Sequence, residues 1–108
     1  MPEQTRPDEL SAAVERLAGR LRSLSQRRLQ SGAAAAGLDL ARWLDREAQL
    51  LEFPGREPYV MADEGVFVVG DQLSLAGREL LAVAAQPGHE ALLAAAREKV
   101  VQAARAVG

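Results

Sequence analysis

Leu10, Val14, Leu17, Leu21 and Leu24 follow one another at spacings of four, three, four and three residues. A strand cannot use that pattern, because its side chains alternate between two faces, whereas an α-helix gathers all five on one stripe. The seam covers two heptads and then meets Arg28 where the next apolar residue is due. A free-standing coiled coil needs three or four heptads, so the stripe reads as one helix of a bundle, over residues 8–30. Thr5 and Asp8 stand at the spacing of a capping box at its start, with Pro7 and Glu9 in the first turn. A second seam closes the chain: Leu93, Ala96, Val100, Ala103 and Val107 predict a helix over 90–106.

The interior available to such helices is made of small side chains. Alanine supplies 21 of the 52 apolar residues in a chain of 108, leaving 31 larger ones. Burial stabilises by roughly 25 cal/mol per Å², so an alanine-rich core contributes little per residue. The length fits one domain, 1–108, with a radius of gyration of about 13 Å. With no cysteine there is no disulfide scaffold, thiol nucleophile or cysteine-based metal site. No apolar run reaches the ~20 residues that span a bilayer, and the opening residues lack the basic and apolar regions of a signal peptide. These features point to a cytoplasmic protein with no membrane partner.

Between the two seams, punctuation divides the chain. Gly32 and Gly37 bracket four alanines, so residues 31–38 read as a loop or a short helical stretch between two breaks. Asp39 suits an N-cap for a second helix over 39–53, ended by Pro54-Gly55. Trp43 lies on its apolar face with Leu40, Leu44 and Leu51, the place of a large core anchor. Tyr59-Val60-Met61 and Val66-Phe67-Val68-Val69, separated by Ala62-Asp63-Glu64-Gly65, predict a β-hairpin over 58–69. Asp71 suits the N-cap of a third helix over 71–85, with Leu73, Ala76 and Leu80 inward and Leu75 and Leu81 widening the buried face. Gly77 inside that helix implies close backbone contact with a neighbour. The expected fold class is mainly α: a four-helix single domain with one short β-hairpin between the second and third principal helices. Leu17, Leu21, Trp43, Leu44, Phe67, Leu80 and Val100 are its expected core.

Catalytic chemistry has little to work with. His89 is the sole histidine and follows Pro87-Gly88 at a helix start, where capping or solvent exposure is its ordinary role. Asp63, Glu64 and Asp71 near the hairpin lack the spacing of a calcium loop, and no glycine-rich phosphate loop is present. A small enzyme with a site near the hairpin is therefore the least favoured function, and no catalytic residue, metal or cofactor is assigned.

Five arginines and no acid fall between Arg16 and Arg28. The order helix, glycine-containing turn, helix, hairpin, further helices resembles a winged helix-turn-helix domain, which implies DNA binding. On that alternative Arg20, Arg27 and Arg28 are the phosphate-binding candidates. The charges oppose it: Asp39, Asp45, Glu47 and Glu52 outnumber Arg42 and Arg46 on the would-be recognition helix, and Asp63-Glu64 tips the would-be wing. A non-catalytic interaction or regulatory module acting as a homodimer, with another protein as a further possible partner, accounts for the small core and the lone hairpin. Two strands leave open edges, so Tyr59, Met61, Phe67 and Val69 of the hairpin are the expected oligomer interface.

Overall fold

A computed structural model describes residues 5–108. Helix α1 spans Pro7–Ser23 and ends earlier than its seam suggests. Leu24 and Ser25 are both extended, and the Ser25 hydroxyl accepts the Arg28 N–H at 3.2 Å, capping a new one-turn helix α2, Gln26–Arg28. The apolar periodicity runs on through Leu24, but a serine side chain that can cap competes with helix continuation at that point. The capping box at Thr5 also fails: the N-cap is Arg6, which makes no side-chain cap.

A wide turn, Leu29–Ala33, follows, with Gly32 at φ 120°, a left-handed conformation that favours glycine. Helix α3 then runs Ala34–Glu52 without interruption. The alanines of 33–36 and Gly37 therefore belong to the wide turn and α3, and Asp39 lies within the helix rather than capping it. Gly37 is a packing position. A Cβ there would lie 2.7 Å from Leu21 Cδ1 and 2.8 Å from Val69 Cγ1, closer than carbon atoms approach.

No strand forms among the described residues, and the expected hairpin does not exist. Its first arm, Tyr59–Met61, takes no regular structure and is tied to α3 as a strap. Its second arm curls into a single 3-10 turn, Val66–Val68, that leads into helix α4, Val69–Ala84. Two such short arms are marginal as an isolated ladder, and β-propensity yields to the packing on offer. Asp71 is consequently in the first turn of α4 rather than at its cap. Helix α5, Glu90–Val107, starts after Gly88, whose N–H donates to the Glu90 carboxylate at 3.1 and 3.2 Å. Hydrogen bonds from the backbone N–H groups of Glu90 and Gly88 hold that carboxylate below the ordinary range.

Helix α4 packs on α3 and α1, and α5 closes the ring by packing on the same two helices. The molecule measures 41 × 35 × 16 Å, its thinnest dimension being that of two helix layers, with a radius of gyration of 13.5 Å. Leu17, Leu21, Leu44, Leu80 and Val100 are buried in one apolar cluster, as the periodicity predicts. Two expected core residues are not: Trp43 is only half-buried and Phe67 is 65% exposed on the 3-10 turn. Leu75, at 54% exposed, also fails to widen the buried face of α4.

Close approach of α1 and α4 rests on a row of small residues, Gly70, Ser74 and Gly77. A Cβ on Gly77 would meet Val14 Cγ1 at 2.8 Å, which is the close contact its position implied. A Cβ on Gly70 would lie 2.8 Å from the backbone oxygen of Ala18, which no side-chain rotation can clear. Between them the buried Ser74 hydroxyl accepts from Arg22 Nη2 at 2.9 Å and donates to Glu15 Oε2 at 3.1 Å. Gly19, on the outer side of α1, has nothing within 4 Å of its Cβ position. Gly70→Ala is therefore expected to destabilise by about 1–3 kcal/mol through overpacking. Gly19→Ala should stabilise by about 0.5–1 kcal/mol through helix propensity alone. Urea denaturation of the two variants checks this, and equal stabilisation by both would show that the helices are free to separate.

Candidate interaction surface

The strap is held by side chains standing in for a partner strand. Gln49 of α3 presents its amide to Tyr59 as a peptide group would: Nε2 donates to the Tyr59 carbonyl at 3.0 Å, and Oε1 accepts the Tyr59 N–H at 3.2 Å. The same Nε2 donates to Asp45 Oδ2 at 2.9 Å, which fixes its orientation. Arg42 Nε donates to the Met61 carbonyl at 2.9 Å, and Gln72 of α4 donates to the Ala62 carbonyl at 2.9 Å. The strap then turns at Asp63, whose carboxylate accepts the Gly65 N–H at 2.9 Å, Gly65 having φ 100°. Two side chains of α3 thus bond Tyr59 and Met61, on either side of Val60, and one of α4 bonds Ala62.

Its outer side is apolar and uncovered. Tyr59 is 76% and Val60 73% exposed. Together with Pro58 they form one wall of a groove of about 370 Å³ whose other wall is Arg42, Trp43 and Arg46 of α3. Trp43 is shared with a second groove toward α5, where Lys99 Nζ lies 5.9 Å from the centre of its ring. Its half-buried position suits a groove wall rather than the core anchor expected from the helix periodicity. Tryptophan, tyrosine and arginine are the residues most enriched among those that dominate binding energy at protein interfaces.

Of the expected interface residues, Tyr59 and Phe67 face outward, Met61 is half-buried and Val69 is buried at 1% exposure. Gln49, Gln72 and Arg42, which position the strap, carry no sequence signal, because an amide or guanidinium at a helix surface pairs with any nearby carbonyl. The arginines separate. Arg22 pairs with Asp71 at 2.8 Å and is part of the α1–α4 contact. Arg20 stays on α1, whereas Arg27 and Arg28 lie on α2 beyond the break at Leu24–Ser25. The Arg28 guanidinium lies against Gly108 at the C-terminal end of α5, a favourable place for a cation. The turn expected at Gly37-Leu38, on which the helix-turn-helix resemblance rests, is interior to α3, and its wing does not form.

His89 is the N-cap residue of α5 but makes no side-chain cap. Asp63 and Asp71 are taken up by the strap turn and by Arg22, and among the described residues no cluster of three or more histidines and acids is arranged to hold a metal. No helix among them is long and apolar enough to cross a membrane. No protein-family model matches the chain, nor does any curated protein or solved structure.

Glu79 of α4 lies beside the strap's anchor. Burial, a hydrogen bond with Asp45 and the charges of Asp45 and Glu52 all raise its pKa above the ordinary value of 4.5. A carboxyl that ionises later in the folded than in the unfolded state loses stability for the fold as pH rises from 4.5 through its folded pKa. Glu79→Gln should therefore be more stable than the parent at pH 7, by about 0.2–0.5 kcal/mol given its solvent exposure. The difference should vanish near pH 4.5. Thermal melts of both proteins across that interval check the sign.

Proposed function

We propose that the chain is a non-catalytic cytoplasmic interaction module that self-associates as a homodimer through the outer side of its strap. The observation that carries this reading is the strap at Val60: its neighbours Tyr59 and Met61 are bonded to α3, whereas its own backbone is unbonded among the described residues, and the Tyr59 and Val60 side chains are exposed. Neither the N–H nor the carbonyl of Val60 bonds to another described residue. Two copies whose Val60 segments pair in an extended, antiparallel arrangement about a two-fold axis would satisfy one another, since residues paired in such a ladder exchange both hydrogen bonds. A second copy is the partner that automatically carries the complementary edge. The projecting side chains add area: a tyrosine buries about 150–250 Å² when fully covered, and a standard interface needs about 800 Å² per partner. Phe67, and Leu75 on the same face of α4 as Gln72, extend the apolar surface beside the strap.

Sedimentation equilibrium tests the dimer. The parent chain is expected to sediment as a dimer at ~100 μM, well above the micromolar range of ordinary specific association. Val60→Pro removes the strap's free donor and Tyr59→Ser removes its largest projecting side chain, and either should shift the protein to monomer without loss of helicity. A parent that is monomeric at that concentration, or a dimer indifferent to both changes, would overturn the proposal.

A further inference from the structure

On the opposite side of the helical ring, α1 and α5 flank a groove of about 190 Å³. Its floor includes the half-buried Ala13, Val101 and Ala104, and its rim carries Arg16 and Arg20 on one side and Arg97 on the other. No acid lines it. Arg97 pairs with Glu9 at 3.6 Å, while Arg16 and Arg20 form no ion pair with any described acid. They stand one turn apart on α1, the spacing at which like charges on a helix repel.

We propose that this groove binds an amphipathic helix from another protein, one whose apolar stripe is flanked by aspartate or glutamate. Two features select that occupant. The floor is apolar and continuous from Ala13 to Ala104, which suits side chains at the i, i+3, i+4 and i+7 positions of a docked helix. The rim carries guanidinium groups on both sides, those of Arg16 and Arg20 without an acid among the described residues, and guanidinium groups pair with carboxylates through two parallel hydrogen bonds. The lined stretch of each helix, 13–20 and 97–104, is about 11 Å long at 1.5 Å per residue, enough for two turns of a partner. A polynucleotide would use the arginines but leave the apolar floor wet, so nucleic acid is the weaker fit to the same surface. This groove is separate from the strap, and its test does not depend on the dimer.

Fluorescence anisotropy at about 100 mM salt, where distant charges are screened, provides the test. The probes are a labelled peptide of about 18 residues with leucines at helical spacing and glutamates on both flanks, and a scrambled peptide of equal composition. Phosphatidylglycerol vesicles and a single-stranded oligonucleotide complete the set. The patterned peptide is expected to bind saturably in about the micromolar range, and the scrambled one at least about tenfold more weakly. The double change Arg16→Glu and Arg20→Glu should weaken the patterned peptide by about tenfold or more and transfer preference to a peptide with lysines in place of the glutamates. A gain of binding to the lysine peptide cannot come from misfolding, so the double variant remains informative even if its stability changes. Equal binding of the scrambled peptide, or indifference to charge reversal, would overturn the proposal. So would arginine-dependent binding of the oligonucleotide or vesicles without the peptide.

Discussion

The approach of α1 to α4 is the constraint on which the rest of the architecture depends. Gly70 faces the Ala18 carbonyl and Gly77 faces Val14, each with no room for a methyl group. A single extra carbon at either place would force the helices apart, and an alanine-rich interior has few large side chains with which to refill the gap. Arg22 ties the same contact from the solvent side, bonding Asp71 and Ser74 of α4. At one end of this seam Gly37 of α3 packs against both Leu21 and Val69, so three helices meet where one residue lacks a side chain. Helix α5 then covers the remaining open side against α1 and α3. Small residues here do the work that bulk does in leucine-rich bundles: they allow close axes, and close axes allow a thin two-layer body.

The strap follows from the obligation of backbone groups to find partners. The chain must pass from the end of α3 at Glu52 to the start of α4 at Val69, and it returns along the outside of the two helices. Carbonyls pressed against a helical surface need donors, and helices offer none from their own backbones except at their ends. Gln49, Arg42 and Gln72 supply them from side chains. Val60, between two bonded residues, is not reached in this way. The apolar residues that would have packed across a hairpin are left divided, Met61 and Val66 half-buried and Tyr59, Val60 and Phe67 outside.

Much of this was legible before any coordinates. The two seams identify α1 and α5 because each reflects a single buried stripe, and Leu17, Leu21 and Val100 are buried as their spacing requires. Gly77 announced a close contact because a glycine in mid-helix is otherwise costly. Glycine was ambiguous elsewhere for a physical reason. Gly32 takes a positive φ and bends the chain, while Gly37, five residues on, is helical and lets two side chains approach. Composition alone does not separate those uses. The break at Ser25 was hidden by apolar periodicity that continues through it. The hairpin was misread because Val66–Val69 has strong strand propensity in isolation, and propensity gave way to α4 beginning two residues ahead of Asp71. Arg16 and Arg20 belong to an arginine cluster visible in the sequence, whereas Arg97 comes beside them only through the fold.

The ring geometry gives the two proposed surfaces a consequence that neither has alone. The strap crosses α3 and α4, whereas the arginine groove lies between α1 and α5, so occupation of one does not cover the other. A homodimer joined at its straps would therefore carry two arginine grooves, both pointing away from the shared axis region. A partner with two acidic helical segments would meet the second groove at the effective concentration set by its linker, reaching up to millimolar for a short flexible one. Each groove is small and its individual affinity correspondingly modest, but linked binding multiplies such affinities by as much as about 10²–10⁴ when the linker spans the sites. On that proposal the strap would also be a control point. In such a dimer, separating the two copies would lower the avidity for a two-segment partner without touching an arginine.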